Sequence, residues 1–316
     1  FEFNTSASLG ITLFKDDQLN SFDTHLRHAD AAMYQAKAAG RNTYRFYDEL
    51  MQEGLDKRFA LESALSNAVK NSELHLNYQS IVDVDQNVIG AEVLLRWLHP
   101  EQGLIPPGRF IPVAESSGQI LSIGRWVLQQ ACMQLAEWAR HSSTANWYLA
   151  VNVSARQLHD VNFVAEVTTA LQDSGARPER LLLELTESQL LQDIDIVISK
   201  MQQLTELGVR FSLDDFGTGY SSLSYLKRLP LSQLKIDHSF VRDILSDPND
   251  EAIVKTILAL GHSLELTVIA EGVETGQQYQ KLQQLGCQQF QGYFFGRPAA
   301  LADFVSAQQQ RVSVQR

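Results

Sequence analysis

Carboxylates, amides and one lysine recur in this sequence at the ends of short apolar runs. Glu92 lies within Val88–Leu95 and Asn152 near the end of Trp147–Val153. Glu184 falls near the end of Leu181–Leu185, and Asp214 and Asp215 follow Val209–Leu213. Lys235 and Asp237 flank Ile236, Glu271 follows Leu266–Ala270, and Gln291 ends Gln288–Gln291. One acid after a strand is most often a helix N-cap. An adjacent pair at the end of a buried strand is different: the two carboxylates repel, and one stays protonated unless a cation lies between them. Repetition along the chain points to a ring of acids, and a divalent cation is the simplest remedy for its charge. Glu92, Asn152, Glu184, Asp214, Asp215 and Glu271 offer only oxygen donors, with no Cys or His at these run ends. Such donors suit Mg²⁺ or Mn²⁺ rather than zinc or copper. These side chains exceed what one Mg²⁺ normally takes from protein, so two ions sharing an Asp are more economical. Two-metal sites of this sort serve phosphoryl transfer.

Such a ring needs elements that bring distant run ends to one place. The apolar runs, with Leu74–Val82 as the first, alternate with helical stretches at Ile120–His141, Phe163–Ser174, Asp193–Leu207, Ser221–Leu229, Asn249–Ser263 and Gly276–Leu285. The later runs are almost wholly apolar, as parallel strands buried on both faces are. Alternation at about 30-residue spacing fits a (β/α)₈ barrel, in which all strand ends that carry chemistry meet on one face. A doubly wound open sheet is the alternative. The link Asp83–Asn87 is too short for a parallel crossover, so the barrel is expected to open with an antiparallel pair.

Composition narrows the function classes. The chain has 316 residues with 44% hydrophobic and 20% charged side chains, enough for a full core. Its formal net charge of −11 argues against a partner that is a nucleic-acid polymer. Cys132 and Cys287 lie far apart and read as buried hydrophobes rather than a disulfide or zinc site. No apolar run is long enough to cross a bilayer, and no signal peptide is visible. No membrane contact is therefore expected within this chain. It begins at Phe1, inside a strand-like pattern, and reads as part of something longer.

The segment Ser6–Phe14 alternates as a strand does, His25–Ala39 has helical periodicity, and Gly40 stands where a C-cap glycine belongs. A charged amphipathic helix, Asp48–Asn71, follows. The resulting division is 1–49, a connecting helix at 50–71, a main domain at 72–308 and a tail at 309–316.

Together the motifs resemble a known family. Glu92-Val-Leu-Leu-Arg-Trp97 is similar to the EAL signature. Asn152-Val-Ser154, Glu184-Leu-Thr-Glu187, Asp214-Asp-Phe-Gly-Thr-Gly-Tyr-Ser-Ser-Leu223, Lys235-Ile-Asp237, Glu271-Gly-Val-Glu274 and Gln291-Gly-Tyr-Phe-Phe-Gly-Arg-Pro298 follow in family order. Residues from about Leu61 to Val305 thus resemble an EAL-type cyclic-di-GMP phosphodiesterase domain. Ser8-Leu-Gly-Ile11, Ala29–Lys37 and Gly40-Arg-Asn42 resemble the closing third of a GGDEF domain, without its signature loop. Residues 1–49 are then a C-terminal GGDEF fragment that does not synthesise the dinucleotide. The implied fold is α/β: a modified (β/α)₈ TIM-type barrel with one antiparallel strand, preceded by a short α/β remnant and a linker helix.

The resemblance implies hydrolysis of cyclic-di-GMP to linear pGpG by a water activated between two Mg²⁺ or Mn²⁺ ions, with Ca²⁺ non-productive. It implies one ion held by Glu92, Asn152, Glu184 and Asp214, and another held by Asp214, Asp215 and Glu271. Lys235 would orient the attacking water, Asp237 would share it, and Glu271 could serve as base. Gln79, Leu94, Arg96, Gln291 and Pro298 would contact substrate, with Arg96 suited to a phosphate. Glu187 and the loop Phe216, Gly217, Thr218, Gly219 would couple metal binding to an EAL–EAL homodimer. A cytoplasmic location is implied, in a larger multidomain or membrane-anchored protein. The chain departs from the family at Gln79-Ser80, where Gln-Pro is usual, and at Val93, where Ala is usual. Val93 is no ligand, because adjacent strand side chains face opposite ways. The rival reading is a silent module that binds cyclic-di-GMP as a receptor or serves as an interaction domain.

Overall fold

The computed structural model describes residues 5–14, 22–190, 193–217 and 226–314. The chain divides into two compact units, Phe1–Asn67 and Ala68–Arg316. In the first, strands β1 (Leu9–Ile11) and β2 (Tyr44–Phe46) pair in parallel. A helix, Phe22–Ala38, connects them and lies on β1 at Gly10. Ala29 and Met33 approach there so closely that no Cβ fits. A second helix, Glu49–Ala68, completes the unit.

The second unit is the barrel. Its strands are β3 (Leu74–Asp83), β4 (Val88–His99), β6 (Tyr148–Asn152), β7 (Leu181–Thr186), β8 (Arg210–Phe216), β9 (Gln233–Ile236), β10 (Thr267–Ala270) and β11 (Gln289–Gln291). They run in the order β3-β11-β10-β9-β8-β7-β6-β4, and β3 pairs with β4 to close the ring. β3 is antiparallel to both its neighbours, while the others run parallel. The closed ring rules out the open sheet. Short strands β5 (Gly103–Ile105) and β12 (Ala299–Ala300) extend the sheet beside β4 and β3.

Most strands and helices lie within a few residues of the segments expected from periodicity. The expected helix Ser221–Leu229 falls largely outside the described residues. Several short elements carry no periodic signal strong enough to read, among them β2, β5, β12, the helix Pro107–Ser117 with its internal Pro112, and the helices Ala155–His159 and His238–Arg242. The last helix, Leu301–Val314, starts within the expected main domain and continues into the residues that read as a tail, 309–316.

The barrel interior is filled rather than open. Ile81, Tyr148, Ala150, Leu182 and Ile269 form a buried cluster within it. The next side chains toward the carboxyl ends are polar. Alternation along β4 points Glu92 inward and Val93 outward, where Val93 is 3% exposed. Val93 is therefore a packing residue. Val93→Ala, which deletes two buried methyl groups, is expected to lower unfolding stability by ~1–2 kcal/mol. Urea denaturation of the two proteins measures the difference.

Candidate active site

The site is built from strand ends, and its centre is a lysine. Lys235 on β9 is 1% exposed. Its Nζ lies 2.5 Å from Glu271 Oε1, 3.0 Å from Glu184 Oε1, 3.4 Å from Asp214 Oδ1 and 3.9 Å from Glu92 Oε2. These acids come from β4, β7, the end of β8 and the residue after β10, so four separate strands converge on one ammonium. Burial works against the charge on Lys235, but Glu184, Glu271, Glu92 and Asp214 outweigh it and hold the pKa well above its usual value. Burial raises Glu184 well above the carboxylate range, against the pull of Lys235. Glu271 is pushed up to about 8, again by burial first.

Glu92 is fixed from two sides. Asn152 Nδ2 donates to its Oε1 at 2.6 Å, and Gln291 Nε2 donates to its Oε2 at 2.6 Å. Gln291 Nε2 also donates to Gln79 Oε1 at 3.1 Å, and Gln79 Nε2 donates to the Gly296 carbonyl. Register explains this: Gln79 on antiparallel β3 stands directly opposite Glu92 on β4. Gln291 thus holds Glu92 in place and Gln79 braces Gln291, while both glutamines also line a cavity beside the ring.

The pair Asp214-Asp215 owes its geometry to a bulge. The β8–β9 register shifts between Leu213 and Phe216, and Asp215 has φ +54°. A regular strand would send the two carboxylates to opposite faces; the bulge re-aims one. Burial, then the charges of Asp214 and Asp237, raise the Asp215 carboxyl to about 6. Asp237 has the N-cap role that an acid after a strand commonly has. Its Oδ1 accepts from Ser239 N at 2.9 Å at the start of the helix His238–Arg242, and its Oδ2 meets His238 Nδ1 at 3.1 Å. Burial opposes the Asp237 charge, but the bonds from Ser239 and His238 keep its carboxyl below the usual range.

Two cavities open beside the ring. One of about 270 Å³ is lined by Gln79, Glu92, Glu271, Gln291, His238 and Tyr293 among others. The second, about 300 Å³, reaches from Asn152 and Glu184 to Leu94 and Arg96. Pro298 lines neither; its carbonyl accepts from Asn77 on β3. Glu187 is half-buried at the end of β7, with Oε2 buried and without a hydrogen-bond partner. Phe216 is buried, and Gly217, at φ +101°, lies against Phe240. Thr218 and Gly219 lie outside the described residues. His238 and Tyr293 were not foreseen as wall residues. No periodicity marks them, although each stands within two positions of a foreseen residue.

Among the described residues, no set of three or more Asp, Glu, His or Cys side chains closes on a point as metal ligands do. The acids close on the ammonium instead. The donor set still fits divalent cations. Its groups are oxygen donors, four carboxylates face one lysine, and the buried Oε2 of Glu184 has no hydrogen-bond partner.

Comparison with known proteins agrees with this geometry. Residues 62–298 match the EAL domain, and residues 2–43 match the diguanylate cyclase GGDEF domain. The bifunctional diguanylate cyclase/cyclic di-GMP phosphodiesterase MucR of Pseudomonas aeruginosa is 45% identical over 298 residues, covering 94% of this chain and 43% of MucR. The cyclic di-GMP phosphodiesterase PdeR of Escherichia coli is 39% identical over 303 residues, covering 96% of this chain and 45% of PdeR. The chain thus spans less than half the length of either relative. The structure of the PaMucR phosphodiesterase in complex with c-di-GMP superposes with a TM-score of 0.75 at 46% identity, over 78% of this chain and 99% of that one. From the acid ring at the barrel mouth to the match over residues 62–298, the chain belongs to the EAL domain family, with a short GGDEF segment ahead of the barrel.

Proposed function

We propose that this chain hydrolyses cyclic-di-GMP to linear pGpG as a metal-dependent phosphodiesterase. The observation that carries the reading is the convergence of Glu92, Glu184, Asp214 and Glu271 on Lys235 at the mouth of the barrel. Relatives named as cyclic di-GMP phosphodiesterases support it, as does the likeness to a phosphodiesterase complexed with c-di-GMP.

In this reading Glu92, Asn152, Glu184 and Asp214 would hold one divalent cation, and Asp214, Asp215 and Glu271 another, either Mg²⁺ or Mn²⁺. Bound there, such ions supply charge neutralisation at the scissile phosphate and acidify a water. The water oxygen forms a bond to phosphorus, the P–O3′ bond breaks, and the 3′-oxygen leaves with a proton, giving a 5′-phosphorylated linear product. Lys235 places a positive charge beside the reacting water. Arg96 offers a planar donor to the second phosphate from the Asn152 side of the ring. Ca²⁺, larger and less strict in geometry, would support binding without efficient turnover. Glu187 and the segment after Phe216 would mediate pairing of two barrels. No described helix is long and apolar enough to cross a membrane.

Product analysis of the purified chain with Mn²⁺ is expected to show linear pGpG. Metal-dependent binding without product would favour the receptor reading instead. Asp214→Asn removes the shared ligand and is expected to cut the rate at least ~10³-fold, the loss of several kcal/mol of stabilisation. Wild-type turnover in that variant would sink the two-ion assignment. Gln291→Leu leaves the acids in place but frees Glu92 Oε2. A loss of ~10–100-fold in metal affinity or activity is expected, as for other groups that orient ligands. Mn²⁺ titration and steady-state kinetics on the same preparation measure both.

A further inference from the structure

We infer that Glu73 is a positioning residue, which through Trp97 aims Arg96 at the substrate. Arg96 meets a phosphate only in the phosphodiesterase reading above, so this role rests on that reading. Arg96 stands on a part of β4 that the barrel itself does not hold. The β4–β6 pairing ends at Val93, and β5 joins only from Trp97. Among the described residues, the stretch Leu94–Arg96 therefore has β3 on one edge and no strand on the other. A stretch with so few ladder bonds opens easily unless something fixes its far end.

Glu73 fixes that end. Its Oε2 accepts from Trp97 Nε1 at 3.0 Å, and its Oε1 accepts from Asn71 Nδ2 at 3.0 Å. Its carbonyl accepts from Leu98 N at 2.9 Å, and its own N–H donates to the Ala68 carbonyl at 2.9 Å. One residue thus ties the chain ahead of β3 to the outer part of β4. The bonds from Trp97 and Asn71 keep its carboxyl below the usual range, so the acceptor is ionised at neutral pH. Trp97 carries the constraint onward. It is fully buried, and alternation sends its indole to the face opposite Arg96. The indole meets Phe110 edge-on, with ring centroids 5.6 Å apart. Phe110 belongs to the helix Pro107–Ser117, which supplies Pro107, Ile111 and Glu115 to the cavity that Leu94 and Arg96 also line. The indole therefore sets two walls of one cavity, and its N–H is left unpaired in the interior if Glu73 is lost. Glu73 itself lines neither cavity beside the ring, so any effect it has on turnover passes through this geometry.

Steady-state kinetics with Mn²⁺ on the full 316-residue chain test the role. Glu73→Ala and Trp97→Phe are each expected to raise KM for cyclic-di-GMP about tenfold, as for other groups that orient a contact residue, with kcat within ~2-fold of wild type. Trp97→Phe keeps an aromatic ring in place and carries the test where Glu73→Ala folds poorly. Glu73→Gln keeps an acceptor for the indole and is expected to stay within ~2-fold of wild type in KM. Combined with Arg96→Ala, Glu73→Ala is expected to raise KM no further, because both changes remove the same contact. Additive KM losses in the double variant overturn the role. So does a Glu73→Ala protein that melts at lower temperature with KM unchanged, which makes Glu73 a strut of the fold alone. A kcat that falls while KM holds, or a Glu73→Gln protein as impaired as Glu73→Ala, also overturns it. In each of these cases a raised KM in Arg96→Ala leaves the phosphate contact standing, whereas Arg96→Ala with wild-type KM removes that contact and the role of Glu73 together.

Discussion

The structure of the site depends on one buried ammonium among four carboxylates. Each acid alone is costly inside a barrel, because burial favours its neutral form. Lys235 offsets that cost at a single point, and the directions of Glu92, Glu184, Asp214 and Glu271 follow from it. The balance is incomplete, since one ammonium faces several acids, and the remaining negative charge makes the mouth a place for hard cations. Attraction for metal and compatibility with folding are thus two results of the same charge arrangement.

The barrel supplies what the charges need. Parallel strands deliver Asn152, Glu184, Asp214 and Glu271 to one face, and adjacent register sets Asn152 beside Glu184. The antiparallel β3 adds something a regular barrel would lack. Its reversed direction puts Gln79 opposite Glu92, next to Gln291 on β11. A carboxylate gripped by Asn152 and Gln291 loses little freedom when a ligand arrives. The apolar cluster beneath, with Ile81, Leu182 and Ile269, excludes water and keeps the charges in a low dielectric.

Local capping also shapes the mouth. Ser154 with Gln157, and Thr275 with Gln278, form capping boxes just past β6 and β10. Both hold the chain at the barrel rim, where it turns from strand to helix. Asp237 combines an N-cap with a place in the site, so the ordinary role of an acid after a strand does not exclude a chemical one.

The sequence by itself determined the eight barrel strands, most of the longer helices and the ring members. Apolar runs with polar ends are a local pattern, and strand direction in a barrel converts position along the chain into position at the mouth. It also indicated Val93 as a packing residue, because alternation is local too. Only the tertiary structure decided what the side chains do to one another. That Gln291 grips Glu92, and that Gln79 braces Gln291, depends on pairings more than 190 positions apart in sequence. That Asp214 and Asp215 both serve the mouth depends on a bulge, which period-two alternation does not encode. That Lys235 sits among the acids, and not beside them, depends on four strands closing at once. Periodicity reports the face on which a residue lies; distances between charges appear only when the ring is closed.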